Sequence, residues 1–254
     1  MKTAEFAMFA EEPLHSGWQR HWQVTPGSSL AKPKPFRPLS NLFPDVATEE
    51  DLEDVVAVGD LLSPDVLLTA YYHGIFPWPH QGFPLLWFSP SERGVLRFSK
   101  VRINRSLKRA LKEVEGRWSF SVNESFAEVM NQCQTQKRAG QSGTWITADI
   151  IAAYQELHKL GYAHSAEVWD GDRLVGGIYG VEVAGVFSGE SMFFREDNAS
   201  KMVLVYLCDQ LEKRGHTYLD IEMVTPATKS LGGEYVSRKA YYKILRQSQV
   251  PITI

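Results

Sequence analysis

Cysteine is scarce in this chain: Cys133 and Cys208 are the only two in 254 residues, and no Cys-x-x-Cys pair occurs. That argues against a disulfide framework and against a cysteine-built zinc cage. The seven histidines are scattered, and His158 and His164 lack the i,i+4 spacing that sets two imidazoles on one helix face. No metal and no cofactor is expected. No stretch reaches the roughly 18 uninterrupted apolar residues that a membrane-spanning helix needs. Positive charge is not in excess either. With a formal net charge of −3, any contact with a polyanion has to be local. The N-terminus carries Glu5, Glu11 and Glu12 and no apolar signal core, which argues for the cytoplasm. No internal repeat is visible.

What is present is ordinary globular composition, 44% hydrophobic and 22% charged, with a generous 12% aromatic. Such a chain can build one large core or two modest ones. Residues 1–40 read as an irregular arm, where Pro33, Pro35 and Pro38 favour extended backbone. A helix follows, punctuated by Ser63 as N-cap, Pro64 at its first position and Gly74 beyond its end. Directly after it, GIFPW turns Ile75, Phe76 and Trp78 into either a packed corner or a platform for something flat. Asn104 caps a second helix that Gly116 stops, a third begins at Asn123, and Thr147 caps a fourth that Gly161 ends.

The period then changes to two. AHSAEVWD, RLVGGIYGVEVAG and VFSGESMFF read as a meander, with Asp170-Gly171 at a hairpin turn. A helix ASKMVLVYLCDQLEKRG, a strand TYLDIEM and a helix SRKAYYKILRQ complete the pattern. An antiparallel sheet with segregated helices is α+β. The boundary falls near residue 92, between a small N-terminal domain (41–92) and a larger sheet-bearing one (93–254).

Three groups of residues stand out chemically. Arg105, Lys108, Arg109 and Lys112 recur at helical spacing behind Arg102, so they share one face. That face is either simply solvated or a phosphate-binding patch. Glu190 lies in a strand-like segment and needs a partner, either a structural ion pair or a cationic ligand. Asp220 and Glu222 stand two apart in a strand and so point to one face, opposite Leu219, Ile221 and Met223. Either that face meets solvent, or the two carboxylates couple and attract an amine.

Taken in order, VGDLLSPDVLLTAYYHGIFPW, LLWFSP, INRSLKR, GTWIT, AYQELHKLGYAHSAEVWDGDRLVGGIYGV, FSGESMFFREDNASK and SLGG resemble the leucyl/phenylalanyl-tRNA–protein transferases, from about residue 57 to 245. The resemblance implies a small N-terminal α/β domain beside an acetyltransferase-like (GNAT) domain with a mixed, mainly antiparallel sheet. It implies a cytoplasmic enzyme that moves an amino acid, typically Leu or Phe, from charged tRNA to proteins beginning with Arg or Lys. Their products are marked for degradation. It further implies that Trp78, with Tyr71 and Trp145, receives the terminal adenosine. The aminoacyl side chain would enter an apolar pocket around Ile178, Phe187, Met192, Leu204 and Leu207. Glu190 would hold polar groups of the aminoacyl-adenosine, Asp220 would orient the amine or pass a proton, and the basic helix would meet the acceptor stem. An aminoacyl ester is already activated, so no ATP, metal or coenzyme A is required.

The chain departs from the family's usual residues in the proposed site. Glu222 stands in place of Gln, Ile178 in place of Met and Leu207 in place of an aromatic. No histidine stands two or three residues before SLGG, where the family commonly has one. These departures keep open a non-catalytic module that binds tRNA or an N-terminal peptide. A coenzyme A-dependent acetyltransferase is the other alternative, but the pyrophosphate loop such enzymes place at a helix N-terminus is not found.

Overall fold

Alternating side chains and the glycines between them lay down the largest element. The computed structural model describes residues 22–26, 28–30, 33, 36–46, 52–137 and 143–248. At its centre, β7 (Ala163–Asp170), β8 (Arg173–Val183) and β9 (Val186–Phe194) form the expected antiparallel meander. β9 runs parallel to β10 (Tyr218–Glu222), which pairs antiparallel with β5 (Glu92–Arg97), and β5 with β11 (Glu234–Ser237). On the other side, β6 (Trp118–Val122) pairs antiparallel with β7 and parallel with the short β1 (Gln23–Val24). The result is one mixed, mainly antiparallel sheet of eight strands. Most of the expected N-terminal arm lies outside the described residues. Its described part is less irregular than expected, since β1 joins the sheet and Trp22 is buried against Phe120 and Tyr206.

Helices cover both faces. Helix α5 (Ala199–Glu212) is apolar nearly all round and buried accordingly. Adjacent glycines on β8 show how closely the layers meet. A Cβ on Gly176 would strike Ala199 of α5, while one on Gly177 would strike Val129 of α3 (Phe126–Thr135), on the opposite face. Helix α4 (Ala148–Lys159) lies beside α3, its N-terminus capped by the Thr147 hydroxyl as expected. Helix α3 starts at Phe126 and not at Asn123. The reason is local: Asn123 has φ +63°, and its side chain accepts from the Ser165 amide to tie β6 to β7.

A second sheet of three strands, β2 (Val55–Val58), β4 (Leu86–Phe88) and β3 (Phe76–Trp78), follows and precedes α1 (Pro64–Tyr72). Its apolar side chains do not form a core of their own: Ile75, Phe76 and Trp87 belong to one cluster with Tyr154, Tyr179 and Leu245. A second cluster lies under α5 and α2 (Arg105–Val114), where Leu107 and Leu111 anchor the basic helix. The C-terminal α7 (Arg238–Ser248) closes the first cluster. It rests on Gly74, whose φ of +70° forms the corner after α1. A Cβ there would fall 2.9 Å from the Tyr241 ring and 3.1 Å from Leu245. The GIFPW stretch is therefore both things at once: Ile75 and Phe76 are packed corner, and Trp78 remains half-exposed.

Candidate active site

An arginine organises a cluster of carboxyls and phenols. Arg93 of β5 is only 1% exposed, and Asp220 of β10 is wholly buried. The guanidinium grips Asp220 at two points, Nε to Oδ1 at 2.8 Å and Nη2 to Oδ2 at 2.7 Å. Its two neighbours in ring contact are Phe76, 4.4 Å from the guanidinium carbon to the ring centroid, and Tyr241 of α7, at 5.0 Å. Asp220 accepts three further hydrogen bonds, from the Ser188 hydroxyl (3.0 Å), the Tyr241 hydroxyl (2.8 Å) and the Glu222 amide (3.0 Å). Its acceptor capacity is thus filled.

Both flanking carboxyls stand at irregularities in their strands. On β9, Tyr179 pairs with Ser191 and the next residue, Gly180, with Gly189, so Glu190 is the extra residue of a bulge. On β10 the register shifts between Asp220 and Glu222, and Glu222 has φ +54°. Gly94 of β5 permits that shift, because a Cβ there would come within 3.0 Å of the Met223 backbone. Bulges re-aim side chains out of a ladder, and here they do so twice. Glu222 does reach the Asp220 side of the strand, with Oε1 3.9 Å from Arg93 Nη2, but not by regular alternation. Neither carboxylate of β10 faces solvent, so the solvated-face account of this pair falls.

Glu190 is held by phenols. The Tyr71 hydroxyl donates to its Oε1 at 2.5 Å and the Tyr154 hydroxyl to its Oε2 at 3.2 Å, while the two hydroxyls also touch each other. Loss of water raises its pKa to about 7, against the lowering effect of both phenols and Arg93. Glu222 is pushed well above the ordinary range, first by burial and then by the Glu190 charge, with Arg93 opposing and Asp220 adding a smaller push. The expected Asp220–Glu222 coupling is therefore secondary, because Arg93 neutralises Asp220. Glu190 is the dominant electrostatic neighbour. Oε1 of Glu222 has no hydrogen-bond partner among the described residues.

Around this cluster, Trp78 stands half-buried against Phe88 (5.2 Å between rings) and His80 (5.3 Å), and Trp145 packs on the same core. Ile178, Phe187, Leu204 and Leu207 are buried together in the second cluster; Met192, the cross-strand partner of Ile178, is partly exposed. Arg102, Arg105, Lys108, Arg109 and Lys112 are all exposed, and Arg109 pairs with Glu113 at 2.8 Å. Asn104 caps this helix by accepting from the Leu107 amide. The described residues contain no group of three or more metal-ligating side chains, and none of their helices is long and apolar enough to cross a membrane.

Sequence reasoning misses Arg93, Tyr154, Ser188 and Tyr241. Arg93 lies in SERGVLRF, which reads as the polar start of a strand. Tyr154 sits on the buried face of α4 with Ile150 and Leu157, where nothing in the sequence marks its hydroxyl. Only a search for a cation to match the lone strand carboxylates could have pointed to Arg93.

The family described as leucyl/phenylalanyl-tRNA protein transferase matches residues 95–246, and its N-terminal domain matches residues 60–91. A leucyl/phenylalanyl-tRNA–protein transferase of Shewanella sp. (strain W3-18-1) is 45% identical over 197 residues, 78% of this chain and 82% of that protein. Another, from Hydrogenovibrio crunogenus (strain DSM 25203 / XCL-2), is 42% identical over 200 residues, 79% of this chain and 77% of that protein. Among solved structures, that of L-PGS from Bacillus licheniformis aligns over 63% of this chain and 66% of that one. Its TM-score of 0.40 at 13% identity is too slight to bear on the fold. Tyr71 and Trp78 fall in the first matched span, and the three carboxyls and the basic helix in the second. The chain belongs to the leucyl/phenylalanyl-tRNA–protein transferase family, and it is an enzyme that moves an aminoacyl group from tRNA to protein.

Proposed function

We propose that the cleft joins an apolar amino acid, of leucine or phenylalanine type, to the α-amine of proteins beginning with Arg or Lys. On this reading the product is marked for degradation in the cytoplasm. Two carboxyls that burial and mutual repulsion keep from ionising together carry the proposal. Glu222 is buried and Glu190 half-buried, and the Arg93 guanidinium beside them is already bound at two points to Asp220. A cation entering such a site relieves their repulsion. The α-ammonium of a polypeptide is suited to it, since its pKa of about 7.7–8.0 lets it give up a proton there.

The ammonium first loses one proton to solvent, and Glu222, as carboxylate, takes a second proton from the nitrogen during its attack. That nitrogen attacks the ester carbonyl, the carbon–nitrogen bond forms and the carbon–oxygen bond to the terminal ribose breaks. Glu222 returns the proton to the leaving ribose oxygen. Asp220, its acceptors filled, orients the Arg93 guanidinium and the Glu222 backbone. The ester is already activated, so positioning supplies most of the acceleration and no metal, ATP or coenzyme A is called on. Trp78 and Trp145, with Tyr71, would flank the terminal adenosine, where stacking contributes about 1–3 kcal/mol per base. The exposed face of α2 would meet acceptor-stem phosphates. Residues 41–92 and 93–254 would act as an N-terminal domain and an acetyltransferase-like catalytic domain.

The donor side chain would enter among Ile178, Phe187, Met192, Leu204 and Leu207. A methylene more or less changes discrimination by only about 1–3 kcal/mol, so several apolar donors should be accepted and charged ones refused. The test is mass spectrometry of Arg-starting and Ala-starting peptides incubated with leucyl-tRNA or aspartyl-tRNA. Gain of one leucine on the Arg-starting peptide alone is the expected result. Equal gain on both peptides removes the acceptor preference, and efficient transfer of Asp removes the pocket.

A further inference from the structure

We propose that Arg93 is a positioning residue for the transfer step, and that Tyr241 ties its geometry to the C-terminal helix. The inference rests on the cleft reading above, in which Glu222 handles the proton. Burying a guanidinium is costly, and an apolar side chain of similar volume often serves stability as well or better. A buried ion pair at this place therefore calls for another reason. Arg93 is one of the largest fully buried side chains in the protein. Its planar fork is held at the edge by both oxygens of Asp220 and in ring contact by Phe76 and Tyr241. Aromatic contact of this kind fixes the plane of a guanidinium, which a lysine ammonium cannot reproduce.

From that fixed plane a chain of contacts leads to the reacting groups. Asp220 accepts the backbone N–H of Glu222, and this bond holds the irregular, positive-φ turn of the strand that aims Glu222. Arg93 Nη2 also lies 3.9 Å from Glu222 Oε1, so one cation orders one carboxylate directly and biases a second. Tyr241 enters twice, its ring against Arg93 and its hydroxyl on Asp220. It comes from α7, which is seated on Gly74 and on the His73 carbonyl through Tyr242. Phe76 comes from the same corner. The helix and the corner thereby close on Arg93 from different parts of the chain. Arg93 itself lies between the two spans that match the family, residues 60–91 and 95–246.

The groups facing Glu222 are Glu190 from β9, Asp220 from its own strand, Arg93 from β5, and the Tyr71 and Tyr154 phenols from α1 and α4. Of these, Arg93 alone is cationic, so removing its charge should raise the pH at which the cleft carboxyls ionise.

The experiment compares the full chain with Arg93→Lys, Arg93→Gln and Tyr241→Phe, and with Glu222→Gln in parallel. It measures kcat and acceptor KM against pH, with melting temperature as the control for folding. Arg93→Lys should lower kcat about 100-fold through misplacement while leaving the acid limb where it was. Arg93→Gln should lower kcat and also move that limb upward. Tyr241→Phe, which keeps the ring and loses one hydrogen bond to Asp220, should cost about tenfold in kcat with KM within about twofold. Wild-type kcat and a superimposable pH profile in folded Arg93 variants would overturn the proposal. If those variants do not fold, the same result for Tyr241→Phe overturns it. An unaltered profile for Glu222→Gln, with Arg93 variants still impaired, instead removes the proton role of Glu222 and leaves Arg93 as the positioner.

Discussion

Glu190 stands in a bulge between two phenols, and the placement changes its proton chemistry more than its identity does. Its folded pKa is raised to about 7 from 4.5, so the folded state holds the proton more tightly than the unfolded chain does. The sign follows by linkage: the stabilising contribution is fully present below about pH 4.5 and is lost as pH rises through 7. Glu190→Gln cannot ionise. Its melting temperature should therefore gain on the wild type between pH 5 and pH 8, at about 2–4 °C per kcal/mol recovered. Parallel melting curves across that range would place the carboxyl in water. The sequence itself marks Glu190 as a strand carboxylate in need of a partner, and Asp220 and Glu222 as a pair on one strand face that either meets solvent or couples. It does not mark which partners they take. Arg93 is separated from Asp220 by 127 positions and from Tyr241 by more, and only the sheet order brings them together.

Elements with strong local punctuation are legible. The caps at Asn104 and Thr147, Pro64 at the start of α1, and Gly74, Gly116 and Gly161 at helix ends all stand where their side chains or positive φ place them. Ser63 precedes α1 as expected, yet its side chain makes no capping bond. The irregular strands are not legible, because an extra residue in SGESMFF or LDIEM leaves no trace in a pattern of alternation. β11 and β1 are too short to show a period at all. At this scale the sharpest test is Gly74→Ala. The new side chain must adopt φ +70°, which costs about 1–2 kcal/mol for an L-residue. It must also displace the Tyr241 ring, 2.9 Å from the added Cβ. Overall destabilisation of about 2–5 kcal/mol is expected, together with a fall in kcat, because the ring it moves is the one against Arg93. A variant with reduced melting temperature and unchanged kcat would show that α7 can shift without disturbing the cleft.

Across the whole molecule two charge features of opposite sign would, on the proposed function, meet different parts of the substrates. The exposed face of α2 is basic, although the protein is net acidic at −3. The cleft is acidic and enclosed. Screening acts unequally on the two, because exposed charges are damped beyond about 8–10 Å at physiological salt and buried ones much less. Phosphate binding also releases counterions, so the logarithm of tRNA affinity should fall linearly with the logarithm of salt concentration. Each phosphate contact removed should flatten the slope by about 0.7–0.9. Arg109 is paired with Glu113, but both side chains are exposed, so water and salt screen the pair and a phosphate can displace it. Lys108→Ala with Arg109→Ala should therefore make the tRNA slope shallower by about 1–2, while the acceptor-peptide KM at saturating tRNA keeps its weak salt dependence. The measurement is tRNA binding and peptide KM for both forms between 50 and 200 mM salt. An unchanged tRNA slope returns the α2 face to a solvated surface. A peptide KM as steep in salt as the tRNA affinity would move the acceptor's cation out of the enclosed carboxyl pair and onto the open surface.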